Sequence, residues 1–294
     1  MKNACHSDKL ASPSVEPSLI LAQQHYENFP VASVFLPKAL REPVALIYRF
    51  AREADDFADE GDISIEQRLS LLNDFREELH LLRAYIKPES AFFASLGAMI
   101  RSRNLPFAPF YDLLDAFSQD VRKTRYANYD EVLDYCQRSA NPIGRLLLHL
   151  YGAANAENIR LSDNICSALQ IINFCQDIAI DFEKNDGKQR IYLCQDEMAA
   201  FGISEAMLAR QETNEDWQRF MQFNLQRASA LLQAGKPLGC ILSGRIGFEM
   251  RMIIAGGERI ISKIGQVNGD VFKRRPTLKQ WDWLLIFFKA LLKV

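Results

Sequence analysis

Residues 165–182 read ICSALQIINFCQDIAIDF, a long apolar run interrupted by few polar side chains. At about 100° per residue, Gln170, Asn173, Asp177 and Asp181 fall within one arc of about 80°. Outside that arc only Ser167 and Gln176 are polar. A helix that is apolar nearly all round must be covered by other elements. The chain therefore needs several neighbouring helices, and two carboxylates point into its interior. An unpaired buried carboxylate costs several kcal/mol, so these acids require cations or protons.

A second segment, VALIYRFAREADDFADE (44–60), repeats the pattern. Tyr48, Arg52, Asp55 and Asp59 share one helical stripe with Asp56 beside it, while Arg49, Glu53 and Glu60 face elsewhere. Taken alone, each stripe has a plainer reading. A DDxxDE run is ordinarily a solvated helix face, and Asp177 and Asp181 are equally compatible with basic partners in a core. Together, two helices each carrying Asp at i and i+4 supply hard oxygen ligands of the kind that Mg²⁺ accepts alongside phosphate oxygens and water. Arg52, Lys188 and Arg190 are candidates to complete a diphosphate clamp. A di-iron helical bundle would need two Glu-x-x-His motifs. Only Glu77/His80 fits; His6, His25 and His149 have no Glu three residues before them.

Helical periodicity continues through 38–60, 64–86, 89–103, 107–121, 129–150, 161–183, 195–200, 204–210, 214–234, 238–265 and 277–293, preceded by a candidate at 18–27. Pro37, Pro43, Gly61, Pro88, Pro106, Gly152, Gly187, Gly202, Pro237 and Pro276 read as breakers. Alternating strand patterns are nearly absent. The length of 294 residues allows two domains, yet no linker divides the chain. Residues 1–17 read as a loose leader and 18–294 as one all-α domain. The net charge of −2 gives no support for nucleic-acid binding. No CxxC pair occurs among the six Cys. No signal-peptide pattern follows Met1, and the strongest apolar stretch, 284–288, is far short of the ~20 residues that span a bilayer. Reduced thiols and a cytoplasmic location, with contact at the inner face of the membrane, are the expectation.

At its acidic motifs the sequence resembles the squalene/phytoene synthase family. The motifs are YRFAREADDFADE (48–60), QDVRKTRYANYDEVLDYC (119–136) and QIINFCQDIAIDF (170–182) followed by RIYL (190–193). The resemblance runs from about His25 to the C-terminus. It implies a single isoprenoid-synthase-type helical bundle around a central cavity. Segments 25–41, 135–152 and 274–291 are similar to the hopanoid-pathway subgroup of that family. Its implied reaction takes presqualene diphosphate and water to hydroxysqualene and diphosphate, with two or three Mg²⁺ ions and no NADPH. The resemblance assigns the metal to Asp55, Asp59, Asp177 and Asp181, with Asn173 assisting and Asp56 as a ligand or a neighbour of one. Arg52, Tyr48, Arg190 and Tyr192 become diphosphate contacts, although packing alone also accounts for the two tyrosines. His25 and Asn28 match the family's N-terminal substrate contacts, with a helix-surface role as the alternative. Gln170 and Tyr135 join the substrate-binding set. An apolar, aromatic lining is required to protect a carbocation from water, and Phe29, Phe50, Phe174 and Tyr135 are candidates for it. Asn141 and Gln176, amides where the sequence departs from the family pattern, are candidates to hold the quenching water. The segment 184–194 also departs, with Cys194 in place of a common Pro. Two alternatives remain at this stage: head-to-head condensation of two prenyl diphosphates, and a non-catalytic helical lipid-binding protein.

The tail WDWLLIFFKALLKV (281–294) places Trp281, Leu284, Leu285, Phe288, Leu291 and Leu292 on one stripe. Asp282, Lys289 and Lys293 form a narrow polar edge. Such a helix either docks on the bundle or lies at a membrane surface.

Overall fold

The computed structural model describes residues 36–183 and 190–292. The expected leader, the helix at 18–27, His25, Asn28, Phe29, Lys188 and Lys293 lie outside the described residues. Helix α1 (Lys38–Asp59) carries the first acidic motif. Pro43, expected to break it, sits inside it. A proline there deprives the carbonyl four residues back of its donor. Arg103 supplies the replacement, donating Nη2 to the Ala39 oxygen at 2.9 Å. At the other end, Arg68 donates to the carbonyls of Phe57, Glu60 and Gly61 at 3.2, 2.9 and 2.6 Å. These bonds satisfy the carbonyls at the end of α1 and fix the acid-bearing last turns.

Helices α2 (Ile65–Arg83), α3 (Ala91–Arg103) and α4 (Ala108–Asp120) pack beside α1. Ser64 and Gln67 form a reciprocal capping box that starts α2. Around the fully buried Phe50, the rings of Phe75, Phe93 and Phe110 lie at 5.6, 6.1 and 5.2 Å. Phe50 therefore belongs to the apolar core of this half, not to a substrate lining. Burial of each such ring contributes about 2–3 kcal/mol.

The expected helix at 129–150 is two helices, α5 (Tyr129–Ser139) and α6 (Asn141–Leu150). Pro142, at the start of α6, is compatible with a first turn but cannot continue α5. The acidic apolar segment is α7 (Ala156–Glu183), longer at its start than its periodicity indicates because Asn155 Oδ1 accepts from the Asn158 N–H at 2.9 Å and caps that end. It packs along α10 (Glu215–Gly235) and α6; α8 (Gln195–Ala200) and α9 (Glu205–Ala209) precede α10 in the chain.

Two short strands, unforeseen from the sequence, complete the inner structure. β1 (Arg125–Tyr126) and β2 (Ile191–Cys194) pair in parallel with an irregular register. The Ile191 N–H donates to the Thr124 carbonyl at 2.9 Å. This bridge joins the chain leaving α4 to the chain leaving α7.

The expected helix at 238–265 is also split, into α11 (Leu238–Ile241) and α12 (Gly244–Gln266), at Gly244 with φ +59°. The final helix, α13 (Gln280–Leu292), docks on α12. It does not dock through its apolar stripe. Ile286, Ala290 and Asp282 face inward, while Trp281, Leu284, Leu285, Phe288, Leu291 and Leu292 remain exposed.

Candidate active site

Four elements bring the polar centre together. From α1 come Tyr48, Arg52, Asp55, Asp56 and Asp59; Tyr48 and these acids are all half-buried. Arg52 pairs with Asp56 at 2.8 Å, Glu60 at 3.0 Å and Asp55 at 3.5 Å. From the last position of α4 comes Asp120, which is 3% exposed. From α5 comes Tyr135, and from the start of β2 come Arg190 and Tyr192.

Arg190 is the hinge of the arrangement. Its Nη2 lies 3.0 Å from Asp59 Oδ1 and donates to the Asp120 carbonyl at 2.9 Å. Its Nη1 donates to the Tyr192 hydroxyl at 2.9 Å. Its backbone N–H donates to the Asp181 carbonyl at 3.1 Å. One residue thus ties the end of the first acidic helix to the end of the second. Tyr192 and Tyr135 donate their hydroxyls to the two carboxylate oxygens of Asp120, at 3.1 and 2.5 Å. Phe174 stacks on Tyr192 with ring centres 4.1 Å apart, and Tyr126 and Tyr135 close the cluster at 5.5 and 5.4 Å. The substrate-binding candidates Tyr135, Arg190 and Tyr192 and the lining candidate Phe174 therefore meet in one place.

The electrostatics are those of an acid cluster short of positive charge. Burial and the neighbouring Asp59 carboxylate raise Asp55 to about 7, against the opposing pull of Arg52. Burial raises Asp120 to about 7, partly offset by Arg190 and the Tyr135 hydroxyl. Burial and the Asp120 charge hold Tyr135 and Tyr192 far above the ordinary phenol range, so both remain donors. Burial works against the Arg190 charge, but Tyr192, Asp120 and Asp59 more than restore it. The donor set, all hard carboxylate oxygens beside fixed guanidinium groups, fits a divalent cation such as Mg²⁺.

On α7 the picture is more mixed. Gln170, Asn173, Asp177 and Asp181 are half-buried. Arg275 grips Asp177 with two bonds, Nε to Oδ1 at 2.5 Å and Nη2 to Oδ2 at 3.0 Å. This is the basic partner that the sequence left open as an alternative. Gln176 is buried and donates to the Pro276 carbonyl at 2.5 Å. Asn141, also buried, accepts from Ser167 at 3.0 Å and ties α6 to α7. Both amides thus make helix-to-neighbour ties. Glu77 and His80 lie exposed, 3.7 Å apart, away from the cluster.

Asp120 and Arg275 are the residues that sequence reasoning missed. A signal for Asp120 existed. An acid in the last turn of a helix opposes the helix dipole, so its presence there calls for a cation, and Arg190 answers. Arg275 carries no comparable signal, since its partner is far away in sequence.

The architecture is the all-α bundle of the squalene-synthase type. The chain matches a solved squalene synthase from Alicyclobacillus acidocaldarius with a TM-score of 0.76 and 32% identity, over 86% of this chain and 94% of that one. It matches a solved dehydrosqualene synthase with a TM-score of 0.81 at 18% identity, a likeness of fold. Fold and site together define an enzyme that acts on prenyl diphosphates. The chain belongs to the squalene/phytoene synthase family, whose sequence profile matches residues 22–282. It is 33% identical to the hydroxysqualene synthase of Rhodopseudomonas palustris, over 90% of this chain and 88% of that protein. It is 32% identical to the hydroxysqualene synthase of Sinorhizobium fredii, over 90% and 87%.

Proposed function

We propose that this protein converts presqualene diphosphate and water to hydroxysqualene and diphosphate, with Mg²⁺ at the acid cluster. The observation that carries the proposal is Arg190, a buried cation held against Asp59 and the Asp120 carbonyl and bonded through its backbone N–H to the Asp181 carbonyl, so that it links the ends of the two acidic helices. The similarity to two hydroxysqualene synthases supports this choice of product.

The carboxylates of Asp55 and Asp59 would hold the metal from α1, and Asp181 with Asn173 from α7; Asp177 would join them by sharing or releasing Arg275. When bound, the metal would neutralise the departing diphosphate. Arg52 and Arg190 add fixed positive charge at the same place, where it favours ionisation over return of the leaving group. The two tyrosine hydroxyls keep the Asp120 carboxylate in a single orientation, and the Tyr192 hydroxyl also accepts from Arg190 and orients it. Phe174 and Tyr126 stack on Tyr192 and hold its hydroxyl on Asp120 beside the charge cluster. Water would then add to the carbocation and give up one proton to the departed diphosphate, leaving the neutral alcohol without need of a hydride donor.

A second reading has its own support. The solved relative at 32% identity is a squalene synthase, which favours condensation of two prenyl diphosphates. One experiment separates the two. Purified protein is incubated with presqualene diphosphate or farnesyl diphosphate, with and without Mg²⁺ and NADPH, and products are weighed by mass spectrometry. A C30 alcohol from presqualene diphosphate, dependent on Mg²⁺ and indifferent to NADPH, is the expected result. Hydrocarbon alone, or product only from farnesyl diphosphate, overturns the proposal.

A further inference from the structure

We infer that the outer face of α13, with the basic segment before it, seats the protein on an anionic lipid bilayer. The inference goes beyond the reaction and does not depend on it. Three observations carry it.

The first is the direction in which α13 is held. Asp282 is 3% exposed and lies between Arg259, at 2.6 Å, and Lys263. It also accepts the Lys279 N–H at 2.7 Å. Lys289 pairs with Glu258, and Arg251 donates to the Ala290 carbonyl at 2.7 Å. Turning the apolar stripe inward would break all of these ties. The polar contacts therefore fix the greasy face outward, and no neighbouring element among the described residues covers it.

The second is what that face contains. Trp281, Leu284, Leu285, Phe288, Leu291 and Leu292 are 49–79% exposed and occupy an arc of about 120°. Arg251 also donates to the Gly239 carbonyl, at 2.6 Å, so α11 ends beside the last turn of α13 and adds Ile241, itself 51% exposed. A contiguous apolar patch of this kind on a soluble surface marks an interaction site. At 13 residues α13 is about 20 Å long, too short to cross a ~30 Å hydrocarbon core, so it lies in the interface plane.

The third is charge, which selects the occupant. Every exposed residue from 271 to 292 is cationic, apolar or Gln280. The cations are Arg274, Lys279 and Lys273, the last paired with Asp270 at 3.8 Å; Asp282, the acid within that stretch, is buried and paired. Basic residues leading into an exposed apolar helix, with a tryptophan at the junction, suit anionic headgroups above acyl chains. A second copy of the same face would instead bring like charges together.

Flotation of the full-length protein with phosphatidylcholine vesicles, with and without phosphatidylglycerol, tests the inference. Binding is expected only to the anionic vesicles, and it should be lost at high salt. Trp281 is 79% exposed, Trp217 is fully buried and Trp283 packs inward against α12, so emission should shift to the blue on binding and most of the shift should vanish in Trp281→Phe. Leu285→Glu with Phe288→Glu should lower partitioning by more than tenfold while the melting temperature holds, since both side chains are exposed. Arg274→Gln and Lys279→Gln together should lower it by about twenty-five-fold, at roughly fivefold per cation. The inference is overturned if flotation fails or is equal on neutral vesicles. It is also overturned if sedimentation shows a dimer that Phe288→Glu dissociates.

Discussion

Without a bound cation, the acid cluster should make this protein less stable as the pH rises. Asp120 shows why. Its carboxyl is buried and raised to about 7, whereas in an unfolded chain it titrates near 3.9. A group raised in the folded state ionises more readily when unfolded. Its contribution to stability is therefore complete below about pH 4 and is lost as the pH climbs through about 7. Between about pH 5.5 and 8 the difference integrates to about 2 kcal/mol, or about 4–8 °C in melting temperature for a domain of this size. Asp55, raised to about 7 as well, keeps 38% of its side-chain surface, so solvent screening limits its added share to under ~1 kcal/mol. The assay is thermal unfolding of chelator-treated protein at the two pH values, followed by circular dichroism. Asp120→Asn retains an acceptor for a tyrosine hydroxyl and removes the charge, so most of the pH-dependent loss should disappear with it. Mg²⁺ at about 100 times its dissociation constant should add about 2.7 kcal/mol, and lower concentrations should suffice at pH 8, where protons no longer compete for the carboxylates. If chelated protein is no less stable at pH 8, or if Asp120→Asn keeps the full loss, the picture of a charge-starved cluster is wrong.

Arg190→Met should cost about 3 kcal/mol in urea unfolding, because it leaves Asp59 without its buried cation, and turnover of a prenyl diphosphate should drop by at least a hundredfold. Arg190→Lys, which keeps charge but cannot span three acceptors, should fall between. Gly247→Ala would place a methyl carbon 1.8 Å from the Leu242 carbonyl oxygen, forcing the backbone apart at a cost above ~2 kcal/mol. Gly265→Ala, in the same helix with nothing within 4 Å, should instead stabilise by about 0.5–1 kcal/mol; paired melts of the two variants check the contrast. Asp282 is held down to about 2, its burial outweighed by bonds from Lys263, the Lys279 N–H and Arg259. Its stabilising effect is present above about pH 4 and lost as the pH falls through 2. After screening it amounts to about 1–2 kcal/mol. Asp282→Ala should speed hydrogen exchange across 280–292 and weaken vesicle binding, because the helix no longer holds its orientation.

Helix periodicity made most of the fold legible, since α1 and α7 announce themselves by apolar spacing and an acidic stripe. What it could not supply were the features fixed by distant partners. Pro43 reads as a breaker unless Arg103 is known to reach the stranded Ala39 carbonyl. The strands β1 and β2 are too short for an alternating pattern to register. On the site, the α1 acids and Arg52 were readable from type and spacing and Arg190 from its place just after the second acidic stripe, whereas Tyr135, Tyr192 and Phe174 entered with the resemblance to the family. The Arg275–Asp177 pair was not readable, because nothing local to either residue specifies the other. The tail shows the same limit in another form. Its apolar stripe is visible at once, but the side that docks was decided by Asp282, a single acid with three partners on α12 and at the helix start.

The small parallel bridge is what turns two acidic helices into a site. α1 and α7 belong to separate apolar clusters, one around Phe50 and one around Phe174 and Trp217, so apolar packing alone would not fix their polar ends relative to each other. The chain leaving α4 delivers Asp120 and then β1; the chain leaving α7 delivers Arg190 and Tyr192 at the start of β2. Pairing the strands sets Arg190 against Asp120 and Asp59 in one step, with the Ile191–Thr124 hydrogen bond as the pin. One guanidinium therefore offsets the charge of Asp59 and, on the proposed function, would also hold a permanent cation where a leaving anion forms. A lysine has the charge but not the reach, and a longer β-sheet would give rigidity without placing a cation.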